Sequence, residues 1–361
     1  MKITNLLKLR TLMLMLIVGL AMFLGSCKDD DDDSGGGGGD KTAINALIAE
    51  SEDLANDASA TDYPQTAIDA YKATLKTVKD AAGGKRTQVE INNLVTQLNQ
   101  ATTTFKSKAY GFIDETLNLS AGWHFDEGTG TTAIAYSPVK HIATFTKGNS
   151  VVFGADAMMP TWVDGVKGGK AVYLNNGAHL EAPYNAAFLP ANLTISVWIK
   201  PIELYENNYI VSQNFWKGYK LQTQGGGKPF FTYNTTKAES PIIDADNETD
   251  NSIKVNVWNH VVVTLNPTSK ELSFYVNGTL TKTWTEATKG IAPIVQTLTA
   301  PDPQPFIIGG VATDAMIATP DFSWVTVANI GYFKGAIDEL KIYNIALTEG
   351  QISRLYTDEK P

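Results

Sequence analysis

From about Ser120 to Tyr356 this chain is written in short runs where apolar and polar residues alternate, and that limits its fold more than anything else in it. Leu193-Thr-Ile-Ser-Val-Trp-Ile-Lys200 has period two, as has Leu272-Ser-Phe-Tyr-Val-Asn277. Strand side chains point alternately to opposite faces, so this period sorts one set into a core and the other toward a surface. Val261-Val-Val-Thr-Leu265 is apolar at both phases, as a central strand requires. Asn277-Gly278 between two such runs is a hairpin turn signal. Many short strands separated by Gly, Pro and Asn clusters predict an antiparallel sandwich. The 14 Tyr, 14 Phe and 7 Trp are ample for its core and for some exposed rings.

Residues 41–109 change character. They are rich in Ala, Leu, Lys, Gln and Thr and contain no tryptophan. Three helical stripes are legible: Ile44, Leu47, Ile48 and Leu54; then Ile68, Tyr71, Leu75 and Val78; then Ile91, Leu94, Leu98, Ala101 and Phe105. Such narrow seams belong to helices that pack on one another. Tyr63-Pro64 and Gly83-Gly84 separate the three. The expectation is a small three-helix bundle that positions its neighbour.

The beginning of the chain sets the expected location. A basic start (Lys2, Lys8, Arg10) precedes an apolar run from Leu12 to Leu24, the layout of a secretory signal over residues 1–26. The single cysteine, Cys27, follows at once. Leu24-Gly25-Ser26-Cys27 resembles a bacterial lipobox, which implies that Cys27 is lipidated and holds the protein on a membrane. Lys28 and the aspartates to Asp33 resemble the export signal of outer-membrane lipoproteins displayed at the cell surface, where outer-membrane proteins are expected partners. Ser34-Gly39 reads as a flexible tether, so residues 27–40 space the fold from the lipid. Removal of residues 1–26 takes the net charge from −9 to −12. That acidity, with no basic patch among aromatics, argues against nucleic acid as a partner.

Several stretches line up in order with one family. They are Trp123-His-Phe-Asp-Glu-Gly-Thr-Gly130, Gly169-Lys-Ala-Val-Tyr-Leu174, Val197-Trp-Ile-Lys-Pro201 and Trp258-Asn-His-Val-Val-Val-Thr264. Phe274-Tyr-Val-Asn-Gly278, Phe333-Lys-Gly-Ala-Ile-Asp-Glu-Leu-Lys-Ile-Tyr-Asn344 and Ile352-Leu355-Tyr356 complete the series. Together, residues 115–361 resemble a bacterial laminin-G-like, concanavalin A-like domain, and the helical segment resembles FIVAR-type modules. The resemblance implies a mainly β jelly roll of two curved antiparallel sheets, binding glycans or proteins, often with a structural Ca²⁺. In such a fold the first and last strands are neighbours, which brings Asp126 toward Asp338 as candidate calcium ligands. Trp198 and Trp258 are expected in the core, and the final helix over a sheet edge.

Sugar recognition needs flat aromatic faces with polar groups placed around them. Loop aromatics are therefore the candidate ligand-binding residues: Trp162, Trp216 and Tyr219, then Phe322 and Trp324 in the long connection from Thr313 to Asn329. Asp244, Asp246, Glu248 and Asp250 mimic the start of an EF-hand, but Thr249 replaces the turn glycine and Val255 the bidentate glutamate, so a solvated acidic loop is expected. Catalytic residues are not expected: Ala336 stands where a carboxyl paired with Asp338 would be, and no strand is read as carrying alternating acids. The functional expectation is a surface lipoprotein that captures polysaccharide. The alternatives are a protein-binding adhesin or assembly factor, and a hydrolase accessory or degenerate enzyme.

Overall fold

The computed structural model describes residues 38–298 and 303–361 except Ser107, Tyr110 and Phe112. Cys27 and the lipobox lie outside the described residues. Among the described residues, three helices of more than one turn precede the β region, α1 (Thr42–Asp57), α2 (Gln65–Ala82) and α3 (Gln88–Lys106). The chain divides into two compact units, one of residues to Glu52 with Thr74–Asn99, the other of Asp53–Ala73 with Gln100–Pro361. In the first, Ile44, Ile48, Val78, Ile91 and Leu98 are buried, the 3–4 spacing read from the sequence. In the second, Tyr71 and Tyr63 stack on Phe105 at 4.4 and 4.2 Å.

The β region is a sandwich of two antiparallel sheets. Sheet one runs in the order β14 (Thr279–Thr285), β13 (Glu271–Val276), β12 (Asn259–Asn266), β7 (Leu193–Pro201), β16 (Gly335–Tyr343), β5 (Lys170–Leu174), β4 (Thr161–Asp164), with β1 (Leu119–Trp123) also on β16. Sheet two runs β11 (Ile242–Asp246), β10 (Lys228–Asn234), β9 (Tyr219–Gln224), β8 (Asn208–Gln213), β15 (Phe306–Ile308), β6 (His179–Ala182), β3 (Ile142–Thr146), β2 (Thr132–Ile134). Alternation decides what faces the core. Ile195, Val197, Val261 and Val263 of sheet one meet Tyr219, Leu221, Phe231 and Tyr233 of sheet two in one apolar cluster. Asn277 and Gly278 both adopt positive φ, 51° and 75°, the pair that a twisted two-residue hairpin demands.

The outer face of sheet one is covered. Helix α4 (Glu349–Glu359) lays Ile352 and Leu355 on Leu119, Val262, Tyr275 and Tyr343. This corrects the expectation of an edge cover. The helix sits on a face because Val262 and Tyr343, out of phase with the core, are themselves apolar. Tyr356 stacks with Trp198 at 5.7 Å, and Trp198 with His260 at 5.1 Å. Trp198 is fully buried as expected, but under α4; Trp258 precedes β12 and is only half-buried, so it is not a core filler.

His260 accordingly has a structural role. It is fully buried, its Nε2 lies 2.8 Å from Ser196 Oγ, and burial pushes its pKa down to about 3. The unfolded chain protonates this ring near pH 6.5 and the folded chain does not until about 3, so protons favour unfolding between those values. Its contribution is complete above pH 6.5 and fades as pH falls. His124, whose pKa is raised by its bond to Glu339, works in the opposite sense. Comparing His260→Gln with the parent isolates the term. From pH 6.5 to 5 the parent should lose about 2 kcal/mol more than the variant in urea titrations.

Candidate functional site

With one sheet face under α4, the outer face of sheet two is left to present side chains. Register sets its floor. Lys220 on β9 pairs with Thr232 on β10, which pairs with Asp244 on β11. Ile243, Ala245, Leu221 and Phe231 point into the core, so this cross-strand row points out. Thr232 Oγ1 donates to Asp244 Oδ1 at 2.5 Å. Lys220 is 8% exposed, and burial pushes its pKa down to about 8 against the opposing pull of Asp244 and Glu206. Its Nζ lies 4.9 Å from the Tyr209 ring and 5.0 Å from the Phe230 ring, and it donates to Gln222 Oε1.

The walls come from connections. The segment between β15 and β16 folds back as a small apolar cluster of its own, in which Phe322, Val325, Ile330 and Tyr332 pack with Tyr209 and Phe215. Thr313 starts a one-turn helix by capping Met316 N, and Pro320 starts the next turn. This anchoring brings Trp324 to 6.4 Å from Trp216 and 6.4 Å from Tyr209. Asn207 Nδ2 donates to Asn329 Oδ1 at 2.7 Å across the rim. The result is an open cleft of about 370 Å³, with Trp216, Trp324 and Tyr209 as aromatic lining and Lys220, Thr232, Asp244, Asn207 and Asn329 as polar groups. It can stack an apolar ring face while donating and accepting hydrogen bonds at that face's edge.

Trp216, Phe322 and Trp324 are therefore brought together, ring centres 5.6–6.4 Å apart. Phe322 is 1% exposed, so it supports the two indoles from beneath and does not itself meet solvent. Tyr219 is a correction: it is fully buried, its hydroxyl donates to Phe188 O at 2.7 Å, and its β9 phase faces the core. Trp162 lies apart on β4 of sheet one, against Phe145 at 4.9 Å, with Nε1 donating to Gly130 O. Sequence reasoning missed Tyr209, Lys220, Thr232 and Asn207. Alternation on β9 and β10 could have found the outward Lys220 and Thr232; nothing local reveals Tyr209.

The acidic stretch is also corrected. Asp244 and Asp246 belong to β11, two residues apart on its outer face, so one strand does carry alternating acids. Each is engaged: Asp244 by Thr232, Asp246 by Lys228 at 3.2 Å and by Glu248 N at 2.7 Å.

Asp126 and Asp338 are brought near one another, because β1 and β16 pair from Leu119 to Trp123. Asp338 is 2% exposed and accepts from Val166 N (2.8 Å) and Glu339 N (2.9 Å). Burial raises its pKa to about 7, with the charges of Glu339 and Asp126 adding. Asp126 Oδ1 accepts from Lys170 N at 2.7 Å. The intervening loop must be glycine-rich. A Cβ on Gly165 would meet Gly168 O at 2.6 Å, Asp338 Oδ2 at 2.8 Å and Lys170 O at 2.8 Å, and one on Gly169 would strike Asp126 Oδ1 at 2.1 Å. Gly168 O, Lys170 O and Asp338 Oδ2 thus crowd one side of Gly165, next to a buried acid. Among the described residues, no cluster of three or more His, Cys, Asp or Glu is placed to hold a metal ion.

Comparison with solved structures returns several domains of low similarity. One is domain 4 of an extracellular arabinanase from Geobacillus stearothermophilus, in complex with arabinotriose, at 20% identity and TM-score 0.46 over 67% of this chain and 100% of that one. Others are the binding domain of Paraclostridial Mosquitocidal Protein 1 (18%, TM-score 0.41, 67% and 52% covered) and that of a botulinum neurotoxin DC with SialylT (14%, 0.45, 66% and 51%). The chain spans about half the length of these two toxin chains. No curated protein matches the sequence. A family model does match, over β6 to β16 and into α4, leaving the opening Trp123–Gly130 motif outside it. Residues 174–353 match the family described as the concanavalin A-like lectin/glucanases superfamily.

Proposed function

We propose that this protein is a surface lipoprotein, held through Cys27, whose sandwich binds carbohydrate in the cleft of Trp216, Trp324 and Tyr209. The observation that carries the reading is the cleft itself: two half-buried indoles fixed by packed neighbours beside a polar row on the outer face of sheet two. The indoles stack on C–H faces of a sugar ring. Lys220, Thr232, Asp244 and the paired Asn207 and Asn329 orient its hydroxyls. Binding occurs without turnover, since Asp244 and Asp246 are tied to Thr232 and Lys228. A glycan array probed with the full chain should give signal that Trp216→Ala removes; reducing-sugar release from the bound polymer would instead make the protein an enzyme. Capture of a protein with no glycan signal would favour the adhesin alternative. Radiolabelled palmitate should enter the parent protein and not Cys27→Ala.

The same proposal includes a structural Ca²⁺ held by Asp126, Asp338 and carbonyls of the 165–170 loop. An ion there offsets the burial of Asp338 and ties β16 to that loop. Saturating calcium should raise Tm by about 5–10 °C, and Asp338→Ala should abolish the shift. An identical melting curve in chelator would refute the ion.

A further inference from the structure

We infer that the cleft is one half of a longer track on sheet two, and that the ligand is an extended, uncharged polysaccharide gripped along its interior. This rests on the carbohydrate reading above and adds a second subsite to it.

A second open cleft, of about 620 Å³, adjoins the first and shares Asp244 with it. Its lining includes Phe230, Asp246, Asp250, Lys228, Trp284 and Lys289. Register shows the continuity. The first cleft stands on the row Lys220–Thr232–Asp244, and the next outward row on the same strands is Gln222–Phe230–Asp246. Two residues along a strand is about 7 Å, so the two floors are neighbouring steps of one surface. Lys220 joins them, with its ammonium between Tyr209 of the first cleft and Phe230 of the second. Trp284 closes the far end from β14, the edge strand of the other sheet. Its Nε1 donates to Asp246 O at 2.7 Å, and Lys282 and Lys289 stand over its ring at 4.0 and 4.9 Å. The ring is therefore held in place before any ligand arrives.

Charge narrows the ligand. Asp244, Asp246, Glu248 and Asp250 line the second cleft against Lys228 and Lys289. Lys228 bridges Asp246 and Asp250 at 3.2 and 3.3 Å, and Lys282 pairs with Glu248. With Lys282 on Glu248 and Lys220 facing Asp244, the four acids are matched by four lysines, so the floor has no net positive charge to attract uronate or sulfate groups. Paired charges keep spare lone pairs and protons for hydroxyls, which is what a neutral sugar offers.

The test is calorimetric titration of the full chain with β-1,4-gluco-, xylo- and manno- and α-1,5-arabino-oligosaccharides of two and six units, and with polygalacturonate. For whichever series binds, the hexamer should bind ~10-fold tighter than the dimer. Lys228→Ala and Trp284→Ala should each bring the hexamer down to dimer affinity and leave the dimer unchanged. The Lys228 side chain is 22% exposed and lies outside the apolar core, so its variant covers the case in which Trp284→Ala misfolds. Equal affinities for dimer and hexamer, an unchanged length effect in Lys228→Ala, or preference for polygalacturonate would overturn the track while the single-cleft reading survives. Absence of binding across all series would remove both.

Discussion

Lys341→Met should lower the stability of the β-sandwich by about 3–5 kcal/mol, which for a domain of this size moves Tm by on the order of 10 °C. Lys341 is 3% exposed, on the outer face of β16. Its ammonium donates to Glu359 Oε1 at 2.7 Å and to Glu339 Oε2. Burial alone would lower the lysine's pKa, but Glu359, Tyr136 and Glu339 outweigh it and hold it above the usual range. On Glu339, burial is likewise overcome by His124 and Lys341, which take its pKa down to about 2. Methionine fills the same space yet leaves Glu359 without its cation and Glu339 with His124 alone, both in a poorly hydrated site. Glu359 also accepts from Trp198 Nε1 at 2.9 Å, so the loss reaches the seat of α4. Glu359→Gln should cost less, because Lys341 keeps Glu339. Scanning calorimetry of the two variants checks the ranking; a parent-like Tm for Lys341→Met would show that the ion cluster contributes nothing.

Trp324→Ala should weaken glycan binding by at least ~30-fold, the loss of about 2 kcal/mol typical of a tryptophan at the centre of a contact surface. The indole lines the cleft between Trp216 and Tyr209, and its removal opens the wall as well as deleting a stacking face. Trp162→Ala is the matched control. That ring sits on the other sheet against Phe145, so affinity should stay within twofold of the parent. Parallel titrations with the bound oligosaccharide, alongside far-UV circular dichroism, separate lost contact from lost fold. Equal losses in both variants would mean that the cleft has been misplaced.

The sandwich was legible because its information is local. Period-two alternation in 193–200 and 272–277, the apolar run 261–265 and the Asn277-Gly278 turn each act through nearest neighbours along the chain, and all four appear as written. The three helices are equally local in their spacing. The site was legible only in part. Loop position picked out Trp216 and Trp324, but the same criterion admitted Tyr219, whose phase on β9 turns it into the core, and Trp162, which lies elsewhere. Asp244 and Asp246 read as loop residues because acids disfavour strands, yet pairing of β11 with β10 overrides that preference.

What the sequence by itself determined is the kind of fold and the stock of aromatic and acidic side chains, since alternation and turn chemistry are properties of adjacent residues. What only the tertiary structure decided is which face stays open and which residues share it. Helix α4 closes sheet one because Ile352 and Leu355 find Val262 and Tyr343 from strands far apart in the chain. The cleft then forms on sheet two, where register across three strands sets Lys220, Thr232 and Asp244 in one row beneath two indoles. Such partnerships depend on long-range pairing, and no spacing along the chain encodes them.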